Sequence, residues 1–102
     1  MAADLLRGQL DLLLLSVLAD EPMHGYAAIE ELRRRGGFEL PEGTVYPALH
    51  RLEAAGLLDS RWSTVSGRRR RVYALTRSGR RELARRRVEW RAFARAVEAV
   101  VT

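Results

Sequence analysis

Gly43-Thr44-Val45-Tyr46-Pro47-Ala48-Leu49-His50-Arg51-Leu52-Glu53-Ala54-Ala55-Gly56-Leu57 is the stretch on which the reading of this chain turns. Val45, Leu49 and Leu52 recur at steps of four and three, the spacing of one buried helix face. Thr44, Tyr46, His50 and Arg51 then point elsewhere. Pro47 costs a helix little only in its first turn, which makes Thr44 the expected cap. Gly56 supplies the stop.

The segments on either side complete a pattern. Downstream, Leu58, Ser60, Trp62 and Thr64 alternate along one side of a strand, Val65-Ser66-Gly67 makes a turn, and Arg68 to Leu75 returns. Upstream, Leu5, Leu6, Leu10, Leu13, Leu14, Val17 and Leu18 follow helical spacing, and Leu12 and Leu15 widen the apolar surface beyond one stripe. Asp20-Glu21-Pro22 breaks that helix. A second helix is expected from about Gly25 to Arg35, burying Tyr26, Ile29 and Leu32 and closing at Gly36-Gly37. Thr76 or Ser78 caps a long last helix, in which Leu83, Trp90 and Val97 recur every seven residues beside Phe93 and Val100. The order of elements predicts a mainly α (α+β) fold, a winged helix-turn-helix with a C-terminal dimerisation helix. Residues 1–75 form the winged unit and 76–102 the terminal helix, together one compact body.

Bulk properties set the limits. At 102 residues the chain is one domain with a modest core, and 47% hydrophobic against 30% charged residues is a folded composition. The absence of cysteine excludes disulfides and thiolate chemistry. The leucine run is too short to span a bilayer and no secretory signal opens the chain, so a cytoplasmic protein is expected.

The formal charge of +5 is unevenly placed. Residues 1–60 carry five arginines against ten acids, or −5, and residues 61–102 thirteen against three, or +10. Such a split points to a polyanion partner for the second half. All 18 basic residues are arginine and asparagine is absent, a codon-bias pattern, so the placement of charge is informative and the choice of arginine is not.

Duplex DNA fits this arrangement. Thr44, Tyr46, His50 and Arg51 are the candidates for the major groove, and Arg68, Arg69, Arg70 and Arg71 for phosphate or the minor groove. Tyr46 is open between a base contact and a brace for the hairpin. Leu83, Trp90, Phe93, Val97 and Val100 form the expected subunit interface. Catalysis has little support: His24 and His50 stand at no metal-binding spacing, no cofactor or metal motif appears, and His24-Gly25-Tyr26 reads as the opening of the second helix. The alternative function is a protein-interaction module docking a partner through the last helix, and a third is a ligand sensor with little operator preference.

With these residues assembled, the chain resembles the PadR family of transcriptional regulators over nearly its whole length. The resemblance rests on His24-Gly25-Tyr26, on Gly43 to Pro47 with Leu49, Arg51-Leu52-Glu53 and Gly56-Leu57, and on Arg69 to Arg71, Tyr73, Leu75-Thr76 and Gly79. It is similar to the short subgroup. The resemblance implies a homodimer holding two winged helices over an inverted-repeat operator, usually as a repressor. In some relatives aromatic or cationic compounds bind between the terminal and first helices. By the same alignment Trp90 holds the position of an aromatic used there, with Leu12, Ser16, Ala94 and Val97 beside it. Ala94 stands where some drug-binding relatives carry an acid, which leaves a small aromatic or apolar effector as the expectation.

Overall fold

A computed structural model describes residues 8–102. Helix α1 (Leu10–Asp20) leads through a short strand β1 (Met23–His24) into α2 (Gly25–Gly36) and α3 (Glu42–Ala54). The hairpin β2 (Leu58–Val65) and β3 (Arg68–Leu75) follows, and α4 (Arg77–Val101) ends the chain. The expected winged helix-turn-helix is present. Leu5 and Leu6, expected in the first helix, lie outside the described residues.

The core gathers where the apolar faces meet. Leu14, Leu15, Val17 and Leu18 of α1 pack with Ala28, Ile29 and Leu32 of α2 and with Val45, Ala48, Leu49 and Leu52 of α3. Leu58 and Tyr73 seal it from the hairpin. Leu10, Leu12 and Leu13 are half-buried against this cluster, so α1 does use more than one side. Tyr26, expected inside, is exposed instead.

Strand β1 is an addition to the expected plan. It pairs antiparallel with β3, Met23 opposite Tyr73 and His24 opposite Val72, giving the sheet order β1-β3-β2. Two residues are too few to show alternation, and their partners lie about fifty positions away, so local pattern carries no trace of the strand. His24 also opens α2: its Nδ1 accepts a hydrogen bond from the Ala27 amide at 3.2 Å.

Helix α3 begins earlier than the sequence predicts. Pro41, not Thr44, is the N-cap, and its carbonyl accepts from the Thr44 and Val45 amides. Pro41 holds φ at −75°, and Glu42 brings a carboxylate to the positive end of the helix dipole. Pro47 therefore falls in the second turn and withholds the hydrogen that would reach the Gly43 carbonyl. Both residues are exposed, so water can serve that carbonyl. The stop is as expected. Gly56 adopts φ +79°, its amide bonds the Glu53 carbonyl, and the Leu57 amide bonds that of Leu52, a complete Schellman closure.

The hairpin turn is tighter than expected. Val65 pairs with Arg68, leaving Ser66 and Gly67 as a two-residue loop at φ 53° and 79°. Two successive positive φ values match the right-handed twist of the flanking strands. At its other end β3 meets α4 closely. The Thr76 hydroxyl accepts from the Gly79 amide and donates to the Gly56 carbonyl. A Cβ on Gly79 would come within 2.1 Å of the Leu57 carbonyl oxygen, so only glycine permits this contact.

Candidate nucleic-acid interface

Helix α3 presents Glu42, Gly43, Thr44, Pro47, His50, Arg51 and Ala54 to solvent while its apolar face is enclosed. Thr44 and His50 are thus free on the outer surface. Tyr46 is half-buried and lies against the start of α2, where a Cβ on Gly25 would sit 2.5 Å from the ring. It braces the start of α2.

Arg51 is engaged inside the protomer. Its Nη1 and Nη2 donate to the two oxygens of Asp11 on α1, each at 2.8 Å. This bidentate hydrogen bond raises the Arg51 pKa above its ordinary value. Asp11 also has Arg86 of α4 at 3.8 Å, and Arg86 donates to Glu82 at 2.6 Å. Arg85 and Arg86 together hold the Glu82 carboxyl down to about 2. One carboxylate on α1 thereby faces cations from both α3 and α4. The spacing inside α3 gave no sign of this, because Asp11 and Arg51 are forty residues apart.

Pairing in the hairpin divides the four arginines. Arg69 and Arg71 share a face with Ser60, Trp62 and Thr64, whereas Arg68 and Arg70 lie on the other with Asp59, Arg61 and Ser63. Arg71 is tied back to the body: its Nε donates to Ser60 Oγ at 2.7 Å, and that hydroxyl donates to Glu53 of α3 at 2.6 Å. The chain Glu53–Ser60–Arg71 fixes the hairpin against the end of α3. Arg68, Arg69 and Arg70 have no carboxylate in ion-pairing range among the described residues. The Arg70 charge and, before it, burial lower the pKa of His24, which stays neutral to accept its hydrogen bond. Trp62, which the sequence reading left without a role, is 57% exposed beneath the guanidinium groups of Arg69 and Arg71. Its position directly opposite Arg71 was the available signal.

Among the described residues, helix α4 is buried chiefly in its first half. Gly79 and Leu83 are buried, and Leu83 is enclosed by the protomer's own core at 3% exposure. It therefore has no surface to offer the expected subunit seam, because α1 packs across this part of α4. From Arg87 onward only Ala94 is less than exposed. Trp90, Phe93, Val97 and Val100 all stand open to solvent, with the Trp90 and Phe93 ring centroids 6.1 Å apart. A cleft of about 230 Å³ lies beside them, lined by Gly8, Gln9, Arg86, Glu89, Trp90 and Phe93. Of the expected effector residues only Trp90 lines it. Leu12 is half-buried against the core, and Ser16 donates to the Leu12 carbonyl within α1.

Among the described residues no helix is long and apolar enough to cross a membrane, and no group of three His, Asp or Glu side chains could hold a metal.

Known proteins share this fold. Residues 14–85 match the Transcriptional regulator PadR-like family. A stretch of 65 residues, 64% of the chain, is 51% identical to the transcriptional regulator Rv3488 of Mycobacterium tuberculosis, and it spans 60% of that relative's length. A PadR family transcription regulator of Clostridium difficile is 35% identical with a TM-score of 0.83, over 91% of this chain and 98% of that one. A PadR-like transcriptional regulator of Bacillus cereus superposes with a TM-score of 0.89 at 25% identity, over 98% of both chains. The chain belongs to the PadR-like family of transcriptional regulators.

Proposed function

We propose that the chain is a homodimeric repressor acting on an inverted-repeat operator and relieved by a small aromatic or apolar ligand. The observation that carries this reading is the distal half of α4, a 25-residue helix whose Trp90, Phe93, Val97 and Val100 stay exposed in the protomer. Burial of such a face at about 25 cal/mol per Å² favours a second copy, and one two-fold axis would pair the Trp90 side chains. Thr44 and His50 then meet base edges while Arg68, Arg69 and Arg70 neutralise phosphates. Arg51 contributes chiefly by holding α3 to α1. The cleft beside Trp90 is smaller than the roughly 300–1,000 Å³ that drug-sized ligands occupy, so a ligand site needs the partner's surface as well.

Sedimentation equilibrium together with a footprint on bound genomic fragments tests this. A dimer protecting two half-sites, centred about 10 bp or a multiple apart, is the expected result. The pair Trp90→Ala and Phe93→Ala should yield a monomer that occupies half-sites only weakly. A chain that is monomeric at binding concentrations, or that protects a single unrepeated site, overturns the proposal.

A further inference from the structure

We infer that Trp62 is a further DNA-contacting residue, an apolar plate on the hairpin that packs against deoxyribose while its Nε1–H donates to a phosphate oxygen. The inference rests on the hairpin's proposed grip on DNA and adds to it a contact that is not ionic.

Three observations converge on it. Trp62 is the large apolar side chain left exposed in the hairpin, at 57%. Its ring is held, with Arg69 5.1 Å and Arg71 5.6 Å from its centroid on the same face of the sheet. Arg71 is in turn anchored through Ser60 to Glu53, so the indole stands at a fixed place relative to α3. That bond to Glu53 also shows which way this face turns, toward the end of α3. The plate therefore lies on the side of the hairpin that faces α3.

The chemistry of the plate selects its occupant. An aromatic surface framed by guanidinium groups suits a ligand that alternates apolar and anionic units, and the sugar–phosphate chain is such a ligand. Asp59, the acid within the hairpin, lies on the opposite face and near its base. Cation–π contacts set the ring's orientation before DNA arrives, which lowers the cost of ordering it on binding.

The test titrates a fluorescein-labelled duplex of mixed sequence with the full chain at several salt concentrations. Trp62→Ala should bind about tenfold more weakly with the slope of log affinity against log salt unchanged, because no charge is lost. Arg69→Ala should instead reduce that slope by about 1. Trp62→Phe should retain most of the affinity, and the melting temperature of both Trp62 variants should stay near that of the unaltered chain. Equal binding by Trp62→Ala overturns the assignment, and so does a slope that falls as it does in Arg69→Ala, which would reduce Trp62 to a support for that arginine. Should the unaltered chain bind no duplex at low salt, the hairpin's proposed grip falls too.

Discussion

Helix α3 and the β2–β3 hairpin are neighbours, yet their charges are used in opposite ways. The one arginine of α3 is held by Asp11, and its Glu53 is held by Ser60 and lies near Arg71. On the hairpin Arg68, Arg69 and Arg70 are left unpaired by the described residues. The same division runs through the described residues: there Arg33, Arg34, Arg35 and Arg51 all have carboxylates in range, whereas the arginines left unpaired among them begin at Arg61. Pairing within a fold cancels charge that would otherwise attract phosphate. In the proposed reading the basic half supplies grip, while the acidic half sets the shape and attitude of the helix that reads.

The strongest way to break this comparison is to remove the hairpin's free charges. Replacing Arg68, Arg69 and Arg70 together with alanine should weaken binding to every duplex by a hundredfold or more. It should also lower the salt slope by roughly 2–3, as titrations at graded salt would report. A loss confined to one sequence would move base reading onto the hairpin.

A smaller effect is expected at α3. His50→Ala should cost about 1–3 kcal/mol of discrimination between operator and random DNA with little change in the salt slope. Competition binding measures it directly.

Asp11 and Arg51 sharpen the contrast further. If Arg51 mainly braces α3, Asp11→Ala and Arg51→Ala should each destabilise the fold by about 1 kcal/mol in urea melts. The double variant should then be little worse than either single one. Additive losses, or a large loss of sequence preference in Arg51→Ala alone, would return Arg51 to the groove.

The smallest effect concerns pH. Burial and Arg70 lower the His24 pKa in the fold, so the unfolded chain takes up a proton at higher pH than the folded one. The contribution of His24 is therefore present above the ordinary histidine value and lost as pH falls through the lower folded value. His24→Ala should lose about 1 kcal/mol near pH 7.5 and flatten this decline below the ordinary histidine value of about 6.5.

Much of the fold was legible because its signals are local. The steps between Val45, Leu49 and Leu52, the left-handed stop at Gly56 and the alternation from Leu58 to Thr64 concern residues within one element. The start of α3 was misread because Thr44 and Pro41 both suit a helix opening, and the acid at Glu42 with the carbonyl of Pro41 decides between them. Strand β1 had no local trace at all. In the interface, the outward positions of Thr44 and His50 followed from helical spacing. The fates of Tyr46, Arg51, Arg71 and Leu83 did not, since each depends on a residue from another element.

The sequence by itself determined the four helices and the hairpin, their order, the two halves of opposite charge and the family. These follow from periodicity, turn chemistry and composition, which act over a few bonds or sum over the whole chain. Only the tertiary structure decided which charges remain available. Asp11 meets Arg51 across forty residues, Glu53 reaches the hairpin through Ser60, and α1 takes Leu83 from the seam. Charge in a sequence is a sum. Charge toward a partner is what remains after the fold has paired its own.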